Sequence, residues 1–239
     1  MKYLSLWFES PLQSWGVDSK FGLRTTFTFP TKSGIAGIIL AALGKGGEER
    51  DFLESCSQWN ETAFSFSPKN EQNGTTLTTD FHMVGSGYDS KDEWQNLMIP
   101  KKRDGGAPVS ADGSTGGVKL TYRQYLQDAF FGVILEIPSS IYDAEMLASA
   151  LRNPVWPLYL GRKCCIPSSQ IFQGLFDSYE EAKTRIDEIA GEKELLLKET
   201  MKEGSDPYSG DVICINDVPV AFGEYKVYRD RFVTIIKNG

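Results

Sequence analysis

Histidine is nearly absent: His82 is the only one in 239 residues, and that scarcity removes whole classes of chemistry. Zinc sites of the H-E-x-x-H kind and HNH-type nuclease centres draw on two or more imidazoles. A serine-type triad would have to run through His82 itself. No G-x-S-x-G, G-x-x-x-x-G-K-[ST] or G-x-G-x-x-G occurs, which argues against a hydrolase, an NTPase or a dinucleotide enzyme. Cysteine is sparse as well. Cys56, Cys164, Cys165 and Cys214 never fall in a C-x-x-C spacing, and four in a chain this long do not build a disulfide scaffold. Neither a cofactor nor a metal is expected. Long apolar runs are also missing: after KYLSLWF the chain turns polar at Glu9 and Ser10, unlike a signal peptide or a membrane span. The expectation is a cytoplasmic protein without membrane contact.

Positive charge is in deficit, with 25 Lys and Arg against 32 Asp and Glu and a net charge of −7. That balance argues at first against nucleic acid, which is bound through phosphates by Lys and Arg. The distribution weakens the objection. Residues 1–123 are close to balanced at −1, and the excess lies in 124–239 at −6. Much of it falls in 178–206, nine acidic residues against five basic, which reads as a solvated helical face. Elsewhere cations stand clear of acids and close to aromatic rings or glycine: Lys20, Arg24 and Lys32 around a Thr-rich loop, Lys101, Lys102 and Arg103 in a Gly-rich segment, Lys119 and Arg123 beside Tyr122 and Tyr125, and Arg162 and Lys163 after Tyr159 and Gly161. Such interleaving suits an RNA backbone with unstacked bases. On composition alone, surface charges beside core aromatics remain the plainer reading.

What is present is the composition of a folded chain, 41% hydrophobic and 24% charged, long enough to bury a core without staples. Residues 2–8 read as a central strand, followed by PLQSWG as a loop. IAGIILAALG reads as a buried helix capped by Thr31 or Ser33 and ended by Gly44 in a left-handed conformation. Its N-terminus, with Thr31, Lys32, Ser33 and Gly34, offers N–H groups to an anion or simply caps the helix. A short helix over 48–56, strands over 62–67 and 75–84, a strand from Tyr122 to Ile137, an amphipathic helix over 143–152 and a strand over 168–176 follow. Between Gly85 and Val118 periodicity lapses, as in a functional protrusion or a partly disordered segment. The order over 1–176 is β-α-β-β-α-β, an α+β ferredoxin-like domain with two helices on one sheet face and the other face open. Residues 177–203 read as helical. Strands over 211–217, 219–225 and 231–237 complete a small C-terminal subdomain, 177–239.

PLQSWG, Arg24 with PTKSGIAGIILAALG, DFH, YRQYLQDAFF and YLGRKCC, in that order, resemble the CasD (Cas-five) family of type I-E CRISPR Cascade subunits. The resemblance covers most of 1–176. It implies an RRM-like fold of the RAMP superfamily with a thumb in the place of 85–118. It also implies a non-catalytic, cytoplasmic subunit that grips the 5′ handle of the CRISPR RNA. Such a subunit caps the filament of backbone subunits beside the large subunit, and so touches target DNA only indirectly. By position, the resemblance assigns RNA contacts to Gln13, Ser14, Trp15 and Gly16, with Trp15 either stacking on a base or plugging the core. It assigns Arg24 to a phosphate, Lys32, Ser33 and Gly34 to the helix opening, and His82 to the base of the thumb, with Lys101, Lys102 and Arg103 on the thumb itself. Tyr122 and Arg123 fall on the strand returning from it, and Gly161, Arg162 and Lys163 in the second loop. Cys164 and Cys165 are expected reduced and packed. The competing reading is a metal-independent endoribonuclease processing CRISPR precursor RNA, with His82, Tyr122 and a lysine as its acid and base. A third is an assembly protein that touches partners and little RNA.

Overall fold

The computed structural model describes residues 1–17, 22–69, 76–84, 119–138 and 142–238. The expected thumb, with Lys101, Lys102 and Arg103, lies outside the described residues, as does Lys20.

A mixed, mainly antiparallel sheet is built around β1 (Lys2–Gln13) and the 19-residue β5 (Lys119–Ile137). Along its main path the order is β6-β1-β5-β3-β7-β9-β8, with every neighbour antiparallel. Here β3 is Asn60–Pro68, β6 Phe172–Phe176, β7 Leu195–Glu203, β8 Asp211–Ala221 and β9 Val227–Lys237. The inner half of β5 lies between β1 and β3. Its outer half leaves the main sheet as a two-stranded arm with β4 (Thr76–Val84), and β2 (Leu23–Arg24) runs parallel beside it.

β1 extends through Pro11 to Gln13, into the first half of the loop expected there. Proline lacks the N–H that a ladder needs, and the pairing skips Pro11 and its opposite residue, Asp128, which takes φ +49°. Apolar residues occupy both faces of β1, as in strands covered on two sides. Leu4, Leu6 and Phe8 face α1 (Lys32–Leu43), α2 (Arg50–Ser57) and α3 (Ala144–Arg152), and Trp7 faces α4 (Tyr179–Glu192). The second sheet face is therefore not open. α4 lies on it with Ile186 so close over Gly132 that a Cβ there would meet it at 2.4 Å. Ser5 Oγ donates to the Ala182 carbonyl at 3.1 Å.

The helix expected over 177–203 ends at Glu192. Glu194 turns the chain at φ +54°, and Leu195–Glu203 becomes β7 because the exposed edge of β3 accepts it. Tertiary pairing overrides the helical composition there. The two strands expected on either side of Val218 are one strand, β8, with a register shift between Asn216 and Val218. A bulge re-aims a side chain, and Asp217 inside this one is buried. Residues beyond Phe176 thus add α4 to one face and three strands to the β3 edge of the same sheet.

Asp217 belongs to a buried ionic cluster that joins the C-terminal strands to α1. Arg231 forks onto Asp217 at 2.7 and 2.8 Å and reaches Glu61 at 2.9 Å and Glu203 at 3.3 Å. Lys32 Nζ donates to Glu203 at 2.7 Å and to the Trp59 carbonyl at 2.7 Å. Burial alone would lower the pKa of Arg231, but the surrounding carboxylates, Glu61 first, outweigh it and raise it above its ordinary value.

Candidate nucleic-acid interface

Where α1 begins, four loops converge. The first loop is locked by Ser14 N–H donating to the Leu160 carbonyl at 3.1 Å and Trp15 N–H to Thr26 Oγ1 at 2.8 Å. Trp15 is fully buried against Phe8, 5.1 Å between ring centroids, with its indole N–H 3.2 Å from Gln13 Oε1. Gln13 in turn donates to the Ala129 carbonyl at 2.7 Å. α1 opens on Thr31, whose hydroxyl accepts from Gly34 N–H at 3.3 Å. At the second loop Gly161 takes φ +98°, and a Cβ there would lie 1.7 Å from the Ser14 carbonyl oxygen. Only glycine lets these two loops touch.

Between the loops lies a cleft of about 470 Å³. Ser14, Gly16, Arg24, Thr25, Ser33, Gly34, Tyr159, Gly161, Arg162, Phe222, Lys226 and Tyr228 are among its lining residues. Arg24 and Lys226 are exposed and form no ion pair with a described residue. Arg162 is braced: its guanidinium donates to the carbonyls of Gln124 at 2.9 Å and Arg24 at 3.0 Å and lies 4.5 Å from the Tyr125 ring centroid. None of these bonds cancels its charge. Three cations and no carboxylate line the described cleft, in a chain of net charge −7. Such a lining attracts an anion, and its aromatic members offer ring faces to a base.

The sequence-predicted residues divide. Ser14, Gly16, Arg24, Ser33, Gly34, Gly161 and Arg162 line the cleft. Arg123 is the ladder partner of Arg24 across β2 and β5. Trp15 and Gln13 are buried and held by each other, so stacking on a base is corrected to core packing. Lys32 is only 4% exposed, and its ammonium serves Glu203. The anion expected at the opening of α1 is the chain's own: Asp217 Oδ2 accepts from Lys32 N–H at 2.8 Å. Lys163 is exposed at the loop tip and does not line the cleft. Cys165 is buried, its thiol pushed up to about 12 by burial, whereas Cys164 is exposed, 3.5 Å from the Tyr125 hydroxyl.

The arm does not assemble an acid–base pair from His82 and Tyr122. His82 lies opposite Thr121, and its Nε2 is 3.2 Å from Asp80 on its own strand. Tyr122 lies opposite Phe81 with ring centroids 5.4 Å apart. Adjacent strand positions face opposite ways, so the imidazole and the phenol point away from each other. Among the described residues no group of three or more His, Cys, Asp or Glu is placed to hold a metal. No described helix is long and apolar enough to cross a membrane.

Sequence reasoning missed Lys226, Tyr228 and Phe222, which reach the cleft from the turn joining β8 and β9 and from the start of β9. The signal was there in Y-K-V-Y at 225–228, another cation between aromatic rings, but nothing local tied it to a loop 200 residues upstream.

Sheet, covering helices and arm define an α+β protein of the architecture seen in solved CRISPR proteins. A chain of a structure titled CRISPR RNA-guided surveillance complex superposes with a TM-score of 0.66 at 24% identity, covering 99% of this chain and 90% of that one. Another, titled crystal structure of Cas protein, gives a TM-score of 0.59 at 24% identity over 99% and 98%. The CRISPR system Cascade subunit CasD of Escherichia coli (strain K12) is 26% identical over 185 residues, 76% of this chain and 74% of that protein. The family model described as CRISPR-associated protein (Cas_Cas5) matches residues 3–238. The chain belongs to that family.

Proposed function

We propose that this chain is a non-catalytic subunit of a Cascade-type, CRISPR RNA-guided surveillance complex and binds the 5′ handle of the CRISPR RNA in the cleft at the opening of α1. The observation that carries the reading is the local reversal of charge: Arg24, Arg162 and Lys226 without a carboxylate on an anionic body. Family membership and the likeness to CasD support it. In this reading the backbone subunit and the large subunit are its protein neighbours, and target DNA is met only through them. The strand order β6-β1-β5-β3, with helices between the first and second and between the third and fourth strands in sequence, supports a ferredoxin-like core within 1–176. Residues 177–239 are then an extension of that core. His82, turned away from Tyr122, gives the ribonuclease reading no support.

Purification of tagged chain from cells carrying its CRISPR system, followed by sequencing of the bound RNA, tests the proposal. CRISPR RNAs sharing one 5′ end, in company with further subunits, are the expected result. Site-specific cutting of repeat RNA by the purified chain in EDTA, abolished by His82→Ala, would overturn it.

A further inference from the structure

The cleft continues into a second recess of about 390 Å³, lined by Gly16, Val17, Arg24, Ser33, Asn216, Lys226 and Tyr228. The two spaces share Gly16, Arg24, Ser33, Lys226 and Tyr228, so two cations, one hydroxyl and one ring stand at their junction. Each volume lies in the range of pockets that enclose a small organic ligand, about 300–1,000 Å³, and suits one nucleotide. Two consecutive nucleotides are joined by a single phosphate, which is where the junction places its positive charge.

The turn that brings Lys226 and Tyr228 there is held from several sides. Phe222 N–H donates to the Glu48 carbonyl at 3.1 Å. The rings of Phe222 and Tyr228 lie 6.4 Å apart. Below them Asn216 donates to Asp230 at 2.6 Å, and Arg231 is forked onto Asp217. Lys226 itself is exposed and free to meet a phosphate.

We propose that the β8–β9 turn completes the cleft as a clamp for two consecutive nucleotides of single-stranded RNA, Lys226 joining Arg24 on the phosphate between them and Tyr228 offering its ring to a base. This rests on the RNA reading above and adds to it a C-terminal component that the N-terminal motifs do not contain.

The test is the affinity of the full chain for a short, 3′-labelled single-stranded oligoribonucleotide, measured by fluorescence anisotropy across a salt series. Lys226→Gln is expected to flatten the slope of log K against log salt by about 0.7, the share of one phosphate on a single strand, and Lys226→Arg to restore it. Tyr228→Ala is expected to weaken binding roughly five- to a hundredfold at every salt concentration with the slope unchanged, and Tyr228→Phe to bind like the parent. Full slope in Lys226→Gln, with a reduced slope in Arg24→Gln, would overturn the clamp and leave the RNA reading standing. Unchanged binding in Arg24→Gln, Lys226→Gln and Arg162→Gln alike would overturn both. Displacement of the RNA by polyglutamate at equal charge concentration would overturn the choice of RNA and mark an acidic protein surface as the occupant.

Discussion

Glu61→Gln removes one charge from the buried cluster and leaves its shape. Two cations, Lys32 and Arg231, face three carboxylates, Glu61, Asp217 and Glu203, so with all three ionised the cluster carries one excess negative charge, and of the three only Glu203 reaches solvent. Glu61 bears the consequence. Neither of its oxygens has a hydrogen-bond partner among the described residues, although Oε2 lies 2.9 Å from Arg231. Burial, only partly opposed by Arg231, pushes its carboxyl up from 4.5 to about 7. The folded state therefore binds a proton that the unfolded state has released. The resulting stabilisation is fully present below about pH 4.5 and is lost as the pH rises through about 7. The displacement corresponds to about 3 kcal/mol, or about 6–12 °C in Tm for a chain of this size. Glutamine has no such proton to lose. From about pH 5 to about pH 8, urea unfolding should show Glu61→Gln gaining about 2.5 kcal/mol on the parent, while other titrating groups cancel in the difference. Parallel curves for the two proteins would refute the reasoning.

Other substitutions separate packing from binding. Gly161→Ala forces a Cβ into the Ser14 carbonyl at φ +98° and should cost at least about 3 kcal/mol by urea unfolding; a loss under about 1 kcal/mol would show that the two loops are not locked. Trp15→Phe removes buried ring volume and the bond to Gln13, so it should lose about 1–3 kcal/mol of stability and leave the salt dependence of RNA binding as it was. A changed salt slope there would contradict the core assignment. Arg24→Gln should do the reverse, keeping stability within about 0.5 kcal/mol and flattening the salt slope. Arg162→Lys keeps the charge but gives up two carbonyl bonds and the contact with Tyr125; about 1–3 kcal/mol of stability should go, with most of the salt slope retained.

Local signals in the sequence were enough for much of the frame. Thr31 before an apolar run and Gly44 after it mark α1 because a helix needs a cap acceptor at one end and a left-handed residue at the other, and both are found there. Leu147, Ala148 and Leu151 share the buried face of α3 for reasons of spacing alone. The failures are nonlocal. Nothing near Leu195 announces that the edge of β3 awaits a strand, so a charged segment with helical composition reads as helix. Trp7 among apolar neighbours reads as part of a central strand, but not as the floor for α4, and the sheet face expected to be free is covered. In the interface, positions read from the first loop and YLGR come together because Gly161 and Ser14 touch. Lys32 fails because its partner, Glu203, lies 171 residues away. Lys226 and Tyr228 were illegible for the same reason, since only the folded sheet brings the β8–β9 turn to the opening of α1.

The central claim is tested most directly by ultraviolet crosslinking of the RNA-bound complex, with mass spectrometry to locate the modified residues in this chain. RNA adducts on peptides carrying Arg24, Tyr159 to Arg162 and Tyr225 to Tyr228 are the predicted result. Adducts confined to the α4 face or to the β4–β5 arm, with those three peptides unmodified, would contradict it.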